Sequence, residues 1–340
     1  MGILRWGEWA KVVMEKLVAV QPGENLLILA DTWTSREATE ACLIAGSNAG
    51  ANVHLLVIPR MHENDTREFR AAVGAILGAD VIVALGGMEN SCIQEASIKA
   101  REKGTRITSC NLKVTGDWAL VGVLDVNYSL MASIAQQICR LWSKTQICRV
   151  LSSIGTDVSF ELGGRPCDPG DGRAIRPGEL DYFPGASPSI APVEKTVNGT
   201  IVVDGSFAEP YRVVTEPITL RLEEGAITAV EGGTDANALR ARLQSTGEEN
   251  AFCIAHFNIG INPAAKFGSG MEQDEMVMGV VTFGFGHQDP AFMGTVGPCS
   301  IHTDVTLRSA AVYLDGVLLC KDNTLNTGLI NIREGGQNDK

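Results

Sequence analysis

A histidine and an aspartate separated by one residue stand toward the end of the sequence, in Ser300-Ile-His-Thr-Asp304. In a β-strand, residues i and i+2 point to the same face, so His302 and Asp304 would present an imidazole beside a carboxylate. One more neutral imidazole would complete a set of two histidines and one carboxylate. That set holds non-haem Fe(II) and leaves coordination positions open for substrate and O2. The motif therefore predicts one side of a metal site.

Few residues can supply the missing imidazole, because the sequence contains only five histidines. His54 falls inside an apolar run and is expected in the core, and His62 lies among charged residues on a predicted loop. His256 and His287 lie in glycine-rich, weakly charged sequence near the motif, and both remain candidates on this ground.

The composition excludes several classes of partner. Among 340 residues there are 28 Lys and Arg against 40 Asp and Glu, a net charge of −12 that repels a nucleic-acid backbone. Charged or polar residues interrupt every apolar run before it reaches the length of a membrane span. The first residues carry charges in the pattern of an amphipathic helix and not of a secretory signal, so a cytoplasmic protein is expected.

The nine cysteines are scattered and include no CxxC pair. An odd number without such a spacing predicts neither a disulfide framework nor a zinc knuckle. We expect the cysteines to be small buried side chains.

The first part of the chain alternates short apolar runs with helical segments. The runs are 25–31, 52–59, 80–86 and 105–110, and the helical segments between them include 36–49 and 92–103. This order predicts a doubly wound α/β lobe with a parallel sheet over residues 1–145, ending with a helix at 128–141. The turn at 30–35 has no glycine, which disfavours a nicotinamide or flavin cofactor. Gly86-Gly87 is kept as a candidate ligand loop.

The second part, residues 146–340, is predicted to be a mostly antiparallel α+β domain that carries the metal. Alternating strand patterns occur at 148–153, 157–161, 199–204, 218–222 and 226–230, with one helix at 235–244. The segment 163–192 is rich in Gly and Pro and is long for a structureless loop, which makes it a candidate functional segment.

Several segments resemble, in order and approximate spacing, the metal-binding domain of the aminopeptidase T family of dinuclear metallopeptidases. They are 254–263, 279–286 and 300–304, with further matches at 191–200 and 222–228. That family also begins with an α/β lobe. The resemblance therefore covers about the whole chain and implies the same two-lobe fold.

The resemblance also shows where the chemistry must differ. The positions at which that family places its six metal ligands read Ser187, His256, Thr282, Asp289, His302 and Asp304 in this chain. Four of the six are changed, and serine and threonine are poor ligands for a second cation. Peptidase activity is therefore not expected.

The set formed by His256, His302 and Asp304 resembles instead the 2,5-dihydroxypyridine 5,6-dioxygenase family, a branch of the same fold family that uses iron. The resemblance implies one Fe(II) per chain and a ring-cleaving, extradiol-type reaction. It also implies a hydroxylated pyridine and O2 as substrates, with N-formylmaleamate as the product of pyridine catabolism. We further expect a homo-oligomer.

Other residues are expected to complete the site. The catalytic candidates, which would deprotonate a bound ring hydroxyl, are His287, Glu179 and Asp289. The predicted substrate contacts are Tyr182, Ser187 and Ser189 from the long segment, together with Phe257 and Phe283, which could stack on a flat ring. Phe285 and Phe292 also flank the ligands in the sequence and could do the same.

Two alternatives remain at this stage. The three ligands could instead hold zinc and activate water in a hydrolase, or the chain could bind a small molecule without catalysis. The metal that the protein contains discriminates between these functions.

Overall fold

The structure, a computed structural model, describes residues 2–60, 67–86, 88, 90–110 and 120–332. His62 and Gly87, both discussed above, lie outside this part of the chain. The chain divides into two compact units. Unit 1 is drawn from Met1–Tyr128 and Asp171–Gly185, and unit 2 from Ser129–Gly170 and Ala186–Lys340.

The helices are α1 (Gly2–Val12), α2 (Arg36–Asn48), α3 (Arg70–Leu77), α4 (Ser91–Glu102), α5 (Tyr128–Trp142), α6 (Thr234–Gln244) and α7 (Met271–Asp274). The first strands are β1 (Asn25–Asp31), β2 (Asn52–Ile58), β3 (Val81–Ala84), β4 (Arg106–Ser109), β5 (Ile147–Ser152), β6 (Asp157–Glu161), β7 (Cys167–Asp168), β8 (Leu180–Tyr182), β9 (Ser189–Ile190) and β10 (Asn198–Val203). The later strands are β11 (Ser206–Phe207), β12 (Arg212–Val213), β13 (Ile218–Glu223), β14 (Ala226–Glu231), β15 (Ile254–Ile259), β16 (Val281–Gly286), β17 (His302–Leu307), β18 (Ala310–Leu314), β19 (Val317–Lys321) and β20 (Thr324–Leu325).

Unit 1 contains a five-stranded parallel sheet in the order β2-β1-β3-β4-β8. Helices α3 and α4 pack on the face that carries Leu27 and Leu29. Helix α2 packs on the other face, where Gly46 lies against Leu26. Because helices cover both faces, the central strand β1 is apolar along its length. The predicted doubly wound lobe is confirmed.

Strand β2 lies at an edge of this sheet and is more exposed than its sequence suggests. Leu55 and Val57 are 39% and 51% exposed. His54 is exposed as well, so its predicted place in the core is wrong. The apolar pattern of β2 indicates a strand, but it does not say how many neighbours cover that strand.

Unit 2 consists mainly of two antiparallel sheets. The eight-stranded sheet has the order β14-β13-β10-β6-β5-β18-β19-β20, and the seven-stranded sheet has the order β12-β11-β17-β16-β15-β9-β7. Aromatic rings of the two sheets meet in the core, where Phe160 of β6 lies 5.1 Å from Phe257 of β15 and 6.1 Å from Phe283 of β16, measured between ring centroids. The predicted, mostly antiparallel α+β domain is confirmed. None of the described helices combines the length and apolar character of a bilayer span.

The two units differ from the predicted division into 1–145 and 146–340. Helix α5 belongs to unit 2, where Trp142 packs on Phe257 with ring centroids 5.5 Å apart. Residues 171–185 belong to unit 1, because β8 pairs in parallel with β4. Both differences come from contacts between segments that are distant in sequence.

The Gly- and Pro-rich segment 163–192 is more ordered than predicted. It contains three short strands, of which β7 and β9 pair with each other and β8 joins the parallel sheet of unit 1. Strand β9 also pairs with β15, so this segment does reach the sheet that carries the predicted ligands.

The cysteine spacing predicted no disulfide framework, but the structure contains a disulfide. Cys139 of α5 and Cys167 of β7 form a disulfide whose Cα atoms are 5.4 Å apart. The pair joins a helix to a strand 28 residues away, so no local motif indicates it. Cys42, Cys110, Cys148 and Cys320 are buried, as expected, whereas Cys92, Cys253 and Cys299 are partly exposed, contrary to the expectation.

Candidate metal centre

Three neighbouring strands, β15, β16 and β17, bring the predicted ligands together. In their register, Gly284 of β16 lies between His256 of β15 and Asp304 of β17. Directly opposed residues of antiparallel strands share a face of the sheet, and His302 lies two residues before Asp304. The two imidazoles and the carboxylate therefore project from the same face.

Gly284 provides the space in which these side chains meet. A Cβ atom at this position would overlap Nε2 of His256 and come within 2.9 Å of Cε1 of His302. Only glycine lets both rings lie over the middle strand. The glycine is therefore part of the site, although it offers no ligand atom.

The three ligand atoms converge. Nε2 of His256 lies 3.0 Å from Oδ1 of Asp304, and Nε2 of His302 lies 3.1 Å from the same oxygen. The two Nε2 atoms are 3.1 Å apart, and the imidazole planes differ by 14°. The side chains are 14%, 34% and 16% exposed for His256, His302 and Asp304, so the cluster is held in the fold and still reaches the surface of the unit. In the described part of the chain, this is the group with the spacing of a metal site.

The hydrogen bonds of His302 fit a metal ligand. Nδ1 of His302 donates to the main-chain oxygen of His287 at 2.7 Å. In the neutral tautomer this leaves a lone pair on Nε2, which faces the Asp304 carboxylate. A cation at the common point would take the place of a proton between Nε2 and the carboxylate, and a carbonyl on the far nitrogen is a common second partner of a metal-bound histidine. The donor set of two imidazoles and one carboxylate also suits Fe(II).

Electrostatic interactions within the cluster shift the pKa values of Asp304 and His302. Burial raises the pKa of Asp304, but the neighbouring His302 and His256 more than offset this and hold that pKa well below its usual range. Burial lowers the pKa of His302, and the Asp304 carboxylate more than compensates, so that this pKa is raised overall. The carboxylate is therefore ionised and available as a ligand.

A row of buried polar side chains lies on the same sheet face, two residues further along β15 from His256. Asn258 of β15 is directly opposite Thr282 of β16 and Ser189 of β9. The Asn258 amide donates to the hydroxyl of Ser187, and Ser189 donates to the main-chain oxygen of Ser187 at 2.8 Å. Oδ1 of Asn258 and Oγ1 of Thr282 are buried and have no hydrogen-bond partner within the described residues. Ser189 is thus paired with Asn258 on the sheet that carries the ligands, and Ser187 contacts the Asn258 side chain.

The aromatic residues are arranged differently from the prediction. Phe257 and Phe283 are fully buried and pack together in the core, with ring centroids 5.5 Å apart. Because side chains alternate along a strand, they lie on the opposite face from His256. The structure does not bring them together with the ligands. Phe292, another of the predicted aromatic residues, follows β16 in the chain and does lie near the cluster, with its ring centroid 6.2 Å from that of His256.

His287 and Asp289 lie on the segment that links β16 to β17. His287 contacts the cluster through its main-chain oxygen, and its side chain is exposed. The Asp289 carboxylate accepts from the main-chain nitrogen of Ala291 at 2.8 Å and caps the short turn Pro290–Phe292. Neither side chain has a described contact with a ligand atom.

Glu179 and Tyr182, the remaining predicted residues, belong to unit 1. The Glu179 carboxylate accepts from the main-chain nitrogens of Ile175 and Arg176 at 2.9 and 2.7 Å, and from the guanidinium of Arg176 at 2.5 Å. Glu179 thus stabilises its own turn. Tyr182 is 56% exposed at the end of β8.

Two features of the site, Asn258 and Glu275, were missed in the sequence, and the specific role of Gly284 was not predicted. Asn258 stands two residues after His256, so the spacing rule that pairs His302 with Asp304 would have placed it on the same face. The role of Gly284 depends on strand register, which the sequence does not reveal. Glu275 follows α7, and burial together with the negative charge of Asp304 raises its pKa well above the usual range. No local motif predicts that electrostatic interaction.

The fold and the site together define a class of protein, in which the aminopeptidase T fold carries a cluster of two histidines and one aspartate. The chain has the fold of AmpT from Thermus thermophilus, with a TM-score of 0.69, 15% identity, and coverage of 95% of this chain and 99% of that chain. It places a His, His, Asp cluster on that fold. A solved structure of 2,5-dihydroxypyridine dioxygenase from Pseudomonas putida KT2440 is also similar, with a TM-score of 0.80, 23% identity, and coverage of 96% of this chain and 98% of that chain.

The sequence comparison then defines the family. The profile of the 2,5-dihydroxypyridine 5,6-dioxygenase family (NicX) matches residues 8–327, and the chain belongs to this family. The 2,5-dihydroxypyridine 5,6-dioxygenase of Pseudomonas putida KT2440 is 26% identical in an alignment that covers 88% of this chain and 90% of that enzyme. The resemblance drawn from the motifs is confirmed.

Proposed function

We propose that this protein is an Fe(II)-dependent, extradiol-type dioxygenase that opens the ring of 2,5-dihydroxypyridine and inserts both atoms of O2 to form N-formylmaleamate. The observation that carries the proposal is the convergence of His256, His302 and Asp304 on one sheet face in a member of this family. One iron per chain would be held by Nε2 of each histidine and a carboxylate oxygen.

The ligand arrangement favours this chemistry over hydrolysis at a dinuclear site. Three protein ligands on one side of an ion leave up to three positions for substrate and O2. Bound iron would supply the one-electron steps through which O2 reacts with the ring. The polar row beside the cluster contains Ser187, Asn258 and Thr282, whose neutral side chains cannot balance the charge of a second cation.

The chain's own residues would orient the substrate. Phe292 offers a ring near His256 against which a flat heteroaromatic ring could stack. The polar row lies two residues along β15, roughly 6.4–6.8 Å from the ligand row, so a single six-membered ring bound at the ligands would extend toward it. Ser187 and Ser189 would supply partners for the ring nitrogen or the remote hydroxyl, since burying such a group without a partner costs about 1–3 kcal/mol.

The deprotonation of the ring hydroxyl is assigned to the segment after β16. His287 and Asp289 are the proposed catalytic bases, because both have exposed titratable side chains on this segment, whose first residue contacts His302. We do not extend this role to Glu179, whose carboxylate is occupied by three N–H donors in its own turn.

We also propose that the enzyme acts as a cytoplasmic homo-oligomer in pyridine degradation. Support for self-association comes from β2, an edge strand that exposes Leu55 and Val57. An exposed apolar edge presents unpaired main-chain groups that a second copy would cover. Analytical ultracentrifugation of the wild type and of Val57→Lys tests this assembly.

The decisive experiment is metal analysis of protein purified without oxygen, followed by oxygen uptake on addition of 2,5-dihydroxypyridine. About one iron per chain and a matching consumption of O2 and substrate are expected. His256→Ala, His302→Ala and Asp304→Ala should each lose iron and activity while the far-ultraviolet CD spectrum is kept. His54→Ala, which removes an exposed histidine of β2, is the matched control.

Other outcomes would identify the alternatives. Zinc together with cleavage of amino-acid anilides would indicate a hydrolase. A protein that binds no metal and consumes no O2 would be a binding protein. Full activity in any of the three variants would remove that residue from the site.

A further inference from the structure

The segment that follows β16 contacts both histidines of the cluster, and a carboxylate from another part of unit 2 binds this segment. We call residues 287–296, between β16 and β17, the cover segment. It contacts the cluster twice: the main-chain oxygen of His287 accepts from His302, and the ring of Phe292 lies near that of His256. Any displacement of the cover segment would therefore change a contact of each histidine.

One buried carboxylate binds both ends of this segment. Oε1 of Glu194 accepts from the Gln288 amide at 3.0 Å and from the main-chain nitrogen of Thr295 at 2.7 Å. Oε2 accepts from the Thr295 hydroxyl at 2.9 Å and from the guanidinium of Arg165 at 2.8 Å. Arg165 also donates to the main-chain oxygen of Met293. Four donors thus converge on Glu194, which is 7% exposed.

Gln288 connects this carboxylate to the ligand strand. Its amide nitrogen donates to Glu194 and also, at 2.8 Å, to the main-chain oxygen of Ala255, the residue before His256. Its amide oxygen accepts from the main-chain nitrogen of Val296 at 3.2 Å. The carboxylate, the amide and the strand form one continuous chain of hydrogen bonds that ends beside a metal ligand.

We propose that Glu194 is a positioning residue of the metal centre, which holds the cover segment so that His287 and Phe292 orient the two histidine ligands. The role requires a carboxylate, because both oxygens face donors. An amide in its place would turn an NH2 group toward either the Thr295 nitrogen or the Arg165 guanidinium. Residues that orient metal ligands through such contacts typically change metal affinity by 10- to 100-fold when they are replaced.

The inference rests on the proposed metal centre, so its test uses two measurements that do not depend on the dioxygenase reaction. The first is amide hydrogen exchange of residues 287–296 in the metal-free protein. The second is the dissociation constant of Co(II), an oxygen-stable probe, measured by its visible absorption. The kinetic constants for 2,5-dihydroxypyridine in the iron-loaded enzyme provide a third.

Glu194→Gln keeps the size of the side chain and removes the second acceptor. We expect exchange in the cover segment to be at least tenfold faster, Co(II) to bind 10- to 100-fold more weakly, and turnover at saturating iron to fall at least tenfold. Glu231→Gln is the matched control, since Glu231, at the end of β14 in the same unit, is exposed and pairs with Arg221 of β13. It should leave all three values within twofold of the wild type.

A second variant covers the case in which Glu194→Gln does not fold. Thr295→Val keeps the side-chain shape and the main-chain bond but deletes the hydroxyl that donates to Glu194, so a smaller change in the same direction is expected. Exchange and Co(II) affinity within twofold of the wild type, in whichever of the two variants folds, would overturn the proposal. A wild type that binds no Co(II) would refute the metal centre, while the exchange result would still show whether Glu194 holds the segment.

Discussion

Replacing Gly284 by alanine tests the geometry of the metal centre most directly. The added methyl group would occupy the space above the middle strand, where it overlaps Nε2 of His256 and comes within 2.9 Å of Cε1 of His302. Both atoms are at the ends of side chains and can move away without displacing the main chain. We therefore expect the fold to survive and the ligand atoms to separate.

The magnitudes of the two effects should differ. Adding a methyl group to a packed site usually costs about 1–3 kcal/mol, and the mobility of the displaced rings favours the lower end of that range. Moving two of three ligands should weaken metal binding by 10- to 100-fold, which corresponds to about 1.4–2.7 kcal/mol. The loss in metal affinity should thus exceed the loss in folding stability.

Two measurements on the same preparations separate these effects. Urea denaturation of the metal-free protein gives the free energy of unfolding, and titration with Co(II) gives the metal affinity. Gly74→Ala is the control, because a Cβ atom at that position in α3 meets nothing within 4 Å. A Gly284→Ala variant that binds Co(II) within twofold of the wild type would refute the geometry of the site described here.

Three further predictions follow from other contacts. His287→Ala should retain the metal, because only the main-chain oxygen of this residue contacts His302, whereas His302→Ala should lose it; equal metal contents by elemental analysis would contradict this. Ser187→Ala should lower the free energy of unfolding by about 1–3 kcal/mol, since it leaves the buried Asn258 amide without its acceptor, and an unchanged urea midpoint would argue against that bond. Burial raises the pKa of Glu194, but the hydrogen bonds that its carboxylate accepts lower this pKa below the ordinary 4.5. The contribution of the ionised carboxylate to stability is therefore complete above pH 4.5 and is lost as the pH falls through the lower pKa of the folded state. In urea denaturation across this range, the free energy of unfolding of Glu194→Gln should depend less on pH than that of the wild type, and an identical pH dependence would contradict the assignment.

The ligands could be predicted from the sequence because their spacing is local and their types are rare. The spacing of His302 and Asp304 fixes a shared face in any strand, and the resemblance added His256. Phe257 and Phe283 show the limit of this reasoning. Each is next in sequence to residues of the site face, yet alternation along the strand directs each into the core.

The remaining parts of the site depend on contacts that no local pattern contains. Phe292 reaches His256 only because the segment after β16 folds back, and Glu194 reaches Thr295 of that segment from 101 residues earlier. The fold class followed from the alternation of apolar runs and helices. The unit boundaries did not, because residues 171–185 return to unit 1 through the pairing of β8 with β4.

That return has a consequence for how the protein is made. Strands β1 to β4 emerge from the ribosome in sequence, but β8 follows only after α5 and the first strands of unit 2. At roughly 5–20 residues per second, the nascent chain waits on the order of 4–14 s between Ser109 and Leu180. During this interval the main-chain groups on the outer side of β4 have no strand to pair with, and such an edge favours association with other chains. Unit 1 can therefore be completed only after residues 129–170, the first part of unit 2, have been synthesised, and the nascent four-stranded sheet is a stage at which a chaperone would protect this chain.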